Sequence, residues 1–582
     1  MSRFFILLFI LFLGFLSCKN TDSQFADTIL TNGKIYTVDS LNPVVESIAI
    51  LNDTILALGS NEEIQKMKGP ETEVIDLDGR FTLPGLIEGH GHFGGMGKSL
   101  LQLNFLKARS WQEIVDQVAE AAKNAKPGDW IEGRGWHQEK WDSTPAPNVK
   151  GYPYNDALNA VSPDNPVVLR HASGHGVMAN AKAMELAGIS LETPDPSGGE
   201  IVRNSNGNAI GMFEERAMHF IMDEYKAYLD SLSREQLMDK WLEGIFKAQD
   251  LCLEMGITSF QDAGTTPGIG WFHSYEELAE YQRLAEEGKL KIRMWAMLRE
   301  DSETLEKELD EFPKIGLGND HFTCKAIKSE LDGALGSYGA WLLEDYSDKP
   351  GFKGQNTTPL SEIEKIAQQA LAKDMQLCVH GIGDRGNHEI LNLFEAVFKA
   401  HPDKKDLRWR VEHAQHLDPA DIPRFKELGV IAAMQGIHCT SDAPFVEKRL
   451  GEKRATEGAY AWRALLDAGA TVGNGTDVPV EDINPFENFY ATITRERHQA
   501  KEHGLVFHPE QAMSREEAIY SYTMANAYAA FEEKIKGSLE PGKLADIIVL
   551  SNDLLTCTEE EILDTKVLMT MVGGKIFVNH LN

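Results

Sequence analysis

Paired cysteines are missing from this sequence. Its six cysteines (Cys18, Cys252, Cys324, Cys378, Cys439 and Cys557) are scattered without a recurring spacing, so a disulfide framework is not expected. Positive charge is scarce as well: 57 Lys and Arg stand against 89 Asp and Glu, a formal net charge of −32. That balance argues against nucleic acid or an anionic membrane surface as a partner. Membrane-spanning runs are lacking too, since the apolar stretch Phe4 to Leu16 is short for a bilayer-crossing helix. What is present is an ordinary globular composition, 42% hydrophobic and 25% charged. At 582 residues the chain is too long for one core, and two or three domains are expected.

The short apolar stretch is a targeting segment rather than part of the fold. Met1 to Arg3 supply positive charge before it, and Ser17-Cys18 close it ahead of the polar Lys19-Asn20-Thr21-Asp22-Ser23. This resembles a lipoprotein signal over 1–18, with Cys18 as the acylated first residue of the mature chain and 19–25 as a tether. A plain secretory signal with an incidental cysteine is the alternative. Both imply export, and the first implies a membrane-anchored protein facing the periplasm or cell surface, touching the membrane through its lipid only.

The mature chain opens with strand signals. Thr28 to Val38 reads as two strands around Asn32-Gly33, and Ser47 to Gly59 as a hairpin around Asn52-Asp53. Ala545 to Leu550 and Met569 to Val578 repeat the pattern at the other end. The two ends, 26–80 and 536–582, are expected to pair into one small β-sandwich domain with the body inserted between them.

In that body, apolar runs alternate with helical stretches, as in parallel βα units. Eight strand candidates end near His92, Asp262, Leu298, Lys328, His380, His413, His438 and Asp477. Eight such units predict an α/β fold, a TIM (β/α)8 barrel over 81–97 plus 242–535, whose chemistry belongs at the C-terminal strand ends. The stretch 98–241, between strands 1 and 2, is too long for a loop and is expected to be an inserted substrate or lid domain.

The first barrel strand runs into His90-Gly91-His92. Alternation sends residues i and i+2 to one face, so both imidazoles point to one spot, and two imidazoles make half of a zinc site. Two such histidines also arise by chance in a chain holding 18. The polar residues at the later strand ends decide between these readings.

Several long motifs in a fixed order resemble the metal-dependent amidohydrolase superfamily, in the branch that includes N-substituted formamide deformylases. They are Pro84-Gly85-Leu86-Ile87-Glu88-Gly89-His90-Gly91-His92, Lys328 with Asp332 to Ser337, His380 to Arg385, and Val411 to Gln415. Met434 to His438 with Ser441-Asp442, Gly475 to Val480, and Gly537 to Asp546 continue the series.

The resemblance implies zinc, as two ions, with other divalent metals open. His90 and His92 would hold one ion, His380 and His413 the other, and Lys328, carboxylated by CO₂, would bridge them. An ammonium cannot ligate a metal, whereas a carbamate presents two oxygens. A buried lysine ion-paired near Asp332 is the alternative. Asp477 would touch a metal and carry the proton from metal-activated hydroxide to the departing nitrogen. His438 would donate to the developing oxyanion, or pack structurally. His175 and Trp136 in the insert are candidate substrate contacts, Trp136 reading equally as core. Asp384 and Arg385 would orient a ligand or bind a substrate carboxylate, or form a helix-start ion pair. Relatives usually carry aspartate where Ser173 stands and a bulky apolar residue where Asn474 stands.

The expected function is hydrolysis of a non-peptide C–N bond (amide, formamide or N-acyl) in a small-molecule substrate. Deamination or cyclic-ureide opening on the same site, and a non-catalytic binding lipoprotein, are the alternatives. A homodimer is among the assemblies left open.

Overall fold

A computed structural model describes residues 25–581, apart from 106, 139–140, 173–174, 266–270 and 499–504. The signal, Cys18 and most of the tether therefore lie outside the described residues.

Eight parallel strands form the centre: β1 (Leu86–Gly91), β2 (Ile257–Asp262), β3 (Arg293–Leu298), β4 (Phe322–Glu330), β5 (Gln376–Gly381), β6 (Arg410–His413), β7 (Ile431–Gln435) and β8 (Val472–Gly475). They pair in sequence order from β1 to β8. Most of their residues are buried, as a parallel sheet covered by helices requires. The expected strands are all present. The seventh, however, stops at Gln435, and His438 lies in the first turn of the following helix, Gly436–Leu450.

Between β8 and β1 side chains take over from a continuous ladder. Asn526 Nδ2 donates to Ile87 O at 2.8 Å and to Asn474 O at 2.7 Å, and its Oδ1 accepts from Asn474 N at 3.2 Å. Glu88 accepts from Thr476 N at 2.6 Å and from His90 N at 3.3 Å. Asp477 N donates to His90 O at 2.8 Å, and His92 N to Val478 O at 2.7 Å. The backbones approach closely here: a Cβ on Gly89 would lie 2.4 Å from Asn474 O, a distance only glycine avoids.

The terminal regions form two further sheets. One contains Thr54–Gly59, Ser47–Leu51, Ala26–Thr31 and Lys68–Asp76; the other contains Lys575–Asn579, Val567–Val572, Ile547–Leu550, Phe81–Pro84, Lys34–Tyr36 and Val44–Val45. Leu30, Ile48, Ile50, Ile547, Val549 and Met569 share one apolar cluster between them. The hairpin around Asn52 is present. The one expected around Asn32-Gly33 is not: Ala26–Thr31 and Lys34–Tyr36 belong to different sheets, and the chain crosses over at Asn32, whose φ is +56°. Phe81–Pro84 pairs with Ile547–Leu550, so the β region takes in residues expected in the barrel.

Residues between β1 and β2 build a six-stranded sheet with helices, including Trp111–Asn124 and Met218–Ser231. Its two faces have separate apolar clusters, one around Trp136, Leu169 and Met212, the other around Val168, Phe213 and Ile221. The helix Phe93–Leu100, leading out of β1, packs on Arg234–Glu254, leading into β2. Gly97 and Gly244 meet at the crossing, where a Cβ on Gly244 would stand 2.7 Å from Gly97 O.

Candidate active site

The C-terminal ends of the barrel strands enclose a buried cup of imidazoles around one carboxylate. Asp477 follows β8, only 6% exposed, with a left-handed φ of +60°. Its Oδ1 stands 3.2 Å from His92 Nε2 and 3.6 Å from His90 Nε2; its Oδ2 stands 3.9 Å from His438 Nε2 and 4.0 Å from His413 Nδ1. The His90 ring lies 4.7 Å from that of His413, which lies 4.4 Å from that of His380. The structure thus brings together His90, His92, His380, His413, His438 and Asp477.

Four of the rings are fixed from outside. His90 Nδ1 contacts Glu412, which is held in turn by Arg410. His92 Nδ1 is 2.7 Å from Gly264 O, His413 Nδ1 is 2.8 Å from Gln435 Oε1, and His438 Nδ1 is 2.9 Å from Gln415 Nε2. Arg410 and Glu412 alternate to one side of β6, so His413 would face away along a regular strand. Its left-handed φ of +74° breaks the alternation and turns the ring into the cup.

The interior is electrostatically expensive as it stands. Burial lowers the His90 imidazole to about 4, and Glu412 only partly offsets this. Burial also holds His380 and His413 well below the usual range, with Lys328 lowering His380 further and His380 lowering His413. These rings are neutral at pH 7, as ligands must be. Burial opposes ionisation of Asp477, yet the close approach of His92 and the neighbouring His413 and His90 imidazoles keep it well below the carboxylate range. His90 Nε2, His380 Nε2, His438 Nε2 and Asp477 Oδ1 are buried without a hydrogen-bond partner among the described residues. Orphaned polar atoms of this kind cost about 1–3 kcal/mol each. Their convergence fits a divalent cation, with donors drawn from two overlapping sets, His90/His92/Asp477 and His413/His438/Asp477.

Lys328, on β4, is 2% exposed. Burial, and then the charge of Arg299, brings its amine down to about 8. Asp332 is not its partner: that carboxylate accepts from the backbone amides of Trp341, Ile382 and Gly383 at 2.8–2.9 Å.

Other expected site residues lie elsewhere. Trp136 is fully buried in the insert's core, its Nε1 donating to Leu169 O at 2.9 Å, in keeping with the core reading that the sequence left open beside substrate contact. His175 is exposed on the insert, 3.2 Å from Glu215. Asp384 accepts from Leu343 N at 2.8 Å, tying a loop to the helix it begins. Arg385 lies over the Trp341 ring at 4.3 Å, with Glu389 3.5 Å from its Nε. Sequence reasoning missed Glu412, Gln415, Gln435 and Arg299. Only Glu412 carried a signal, as a carboxylate beside a strand-end histidine.

With this geometry in place, likeness to known proteins becomes specific. A model of the Amidohydrolase family matches residues 73–578, and the chain belongs to that family. It is a hydrolase of that class. Over 555 residues it is 32% identical to Protein LONG AFTER FAR-RED 3 of Arabidopsis thaliana, covering 94% of this chain and 91% of that one. It is 26% identical over 570 residues to the N-substituted formamide deformylase of Arthrobacter pascens, covering 95% and 98%. A solved structure of an uncharacterized metal-dependent hydrolase from Pyrococcus horikoshii OT3 matches with a TM-score of 0.68 at 26% identity, covering 92% and 99%.

Proposed function

We propose that the protein hydrolyses a non-peptide amide, formamide or N-acyl C–N bond in a small molecule. The observation that carries this is the buried cup in which unpartnered imidazole nitrogens converge on Asp477. His90, His92, His380, His413 and Asp477 would hold divalent metal, zinc as two ions, with Lys328 bridging as its carbamate. Bound there, the metal supplies Lewis-acid polarisation of a carbonyl and a lowered pKa for water.

The chain's own residues divide the remaining work. Asp477 takes the proton of the attacking water and delivers it to the departing nitrogen, without which an amide leaves poorly. His438 Nε2 donates to the carbonyl oxygen as negative charge develops, in the tautomer that Gln415 selects when its amide donates to Nδ1. Glu412 and Gln435 hold His90 and His413 in register. The deformylase relative makes N-formyl amines the first substrates to try.

The test is turnover of N-formyl amines, N-acyl amino acids, dipeptides and cyclic ureides by protein lacking 1–18, supplied with zinc and bicarbonate. Hydrolysis of one amide class that disappears in Asp477→Asn supports the reading. Activity that survives the substitution unchanged overturns it. We further propose that Cys18 is acylated after signal removal and anchors the exported protein. Cys18→Ser should abolish labelling by a fatty-acid probe and move the protein out of the membrane fraction.

A further inference from the structure

His438 owes its place to the turn where β7 gives way to helix. The strand ends at Gln435, and the helix Gly436–Leu450 follows at once. The first amides of a helix have no acceptor within it. Gln435 supplies none from its side chain, which is engaged with His413 and with Ala433 O. The acceptors come instead from two asparagines further along the chain. Gly436 N donates to Asn474 Oδ1 at 3.0 Å, and Ile437 N donates to Asn488 Oδ1. Asn474 lies on β8, and Asn488 on the helix Pro485–Thr494. The hydrolytic steps give neither residue a role.

The two side chains also hold each other. Asn488 Nδ2 donates to Asn474 Oδ1 at 3.1 Å and to Gly475 O at 2.7 Å. Asn474 Nδ2 donates to Thr492 Oγ1 at 3.0 Å, and that hydroxyl donates to Asn488 O at 2.7 Å. Asn474, Asn488 and Thr492 are all buried. A buried amide left without its hydrogen bonds is costly, so a closed set of this kind resists rearrangement. The junction is tight as well: a Cβ on Gly436 would stand 2.0 Å from Thr492 Oγ1 and 2.9 Å from Asn488 O. From the other side Asn526 bonds both the N and the O of Asn474, which ties the set to the β1–β8 seam. His438 comes two residues after Gly436, its Nε2 buried without a partner 3.9 Å from Asp477 Oδ2.

We propose that Asn474 and Asn488 are positioning residues for the oxyanion donor. They hold the first two amides of the His438 helix against β8, the strand that leads into Asp477. The aim of His438 Nε2 relative to Asp477 is thereby fixed before substrate arrives. A donor to developing charge acts only where it already points at the oxygen concerned. This rests on the hydrolytic reading above.

The test takes metal-loaded protein lacking 1–18 and the amide of the panel that it turns over fastest. Asn474→Ala and Asn488→Ala should each lower kcat by about 10–100-fold with KM within about twofold, because the bond to the oxygen strengthens only as charge develops. In a His438→Ala background either substitution should change kcat by less than about twofold, since the group they position is gone. Asn474→Asp should recover most of the loss: it keeps an oxygen for the Gly436 amide, and the Thr492 hydroxyl can turn to donate to it. Equal falls in kcat with and without His438 would overturn the proposal. Hydrogen exchange gives a readout independent of turnover. The Gly436 and Ile437 amides should be protected in the wild type, and each should exchange at least about tenfold faster in the variant lacking its acceptor, with the amides of β5 unchanged. Faster exchange throughout the barrel would mark a general loss of stability and would equally overturn the proposal. If exchange rises at Gly436 and Ile437 alone while even the wild type hydrolyses no amide, the cap stands and the hydrolytic reading falls instead.

Discussion

Asp477 is the residue on which the cup's geometry turns, since one oxygen faces His90 and His92 and the other faces His413 and His438. Asp477→Asn keeps the shape but removes the proton carrier, so kcat should fall by about 10²–10⁴-fold, measured at saturating substrate and zinc. Glu412 makes a different prediction. It touches no substrate, but it orients His90 and is itself kept ionised: burial opposes its charge, while Arg410 and His90 hold it well below the usual range. Glu412→Gln should weaken metal affinity by about 10–100-fold, read by competition with a chelator. The histidines of the cup and Asp477 were legible as residues because each falls at or near the end of a strand candidate. Their outer partners were not: Gln415 and Gln435 look like any polar residue until the fold brings them to His438 and His413. Trp136 shows the reverse, an aromatic whose place in the core only packing reveals.

Among the elements, the seam between β1 and β8 is the barrel's special feature. Glu88 and Asn526 bond the backbones of the two strands that carry His90 and lead into Asp477. Burial pushes the Glu88 carboxyl up to about 8 even though the Thr476 and His90 amides donate to it, so it spans the seam largely as a neutral acid at pH 7. Asn526→Ala should destabilise the fold by about 1–3 kcal/mol for each buried backbone group it leaves unpaired, seen as a lower unfolding midpoint. Strand order and strand ends were legible, because parallel barrel strands read as apolar runs between helical stretches. The crossing at Asn32-Gly33 was not, because a turn signal shows that the chain bends but not whether the next strand joins the same sheet. His438 was assigned to a strand end for a similar reason, since the Met434 to His438 run carries no marker of where helix begins.

For the whole molecule, the barrel and the terminal strands are joined by a buried ion pair. Arg293 Nε and Nη2 donate to Asp546 Oδ2 and Oδ1 at 2.7 and 3.0 Å. Arg293→Met leaves Asp546 buried with the Gly573 amide but without its charge partner, and should cost about 3–5 kcal/mol in a denaturant titration. Burial raises the Asp546 carboxyl, but Arg293 outweighs it and the folded value lies below the ordinary 3.8. The pair's contribution is therefore present above about pH 4 and is lost as pH falls through the depressed folded value. Asp546→Asn should flatten that acid limb of stability. Function at this scale depends on the chain closing one cup of imidazoles around Asp477 from strands far apart in sequence. The most direct measurement is the amide-hydrolysis rate of chelator-stripped protein during titration with zinc. The account predicts no turnover at the start, a saturable rise with added metal, and no rise in Asp477→Asn. Undiminished turnover by the stripped protein would contradict it.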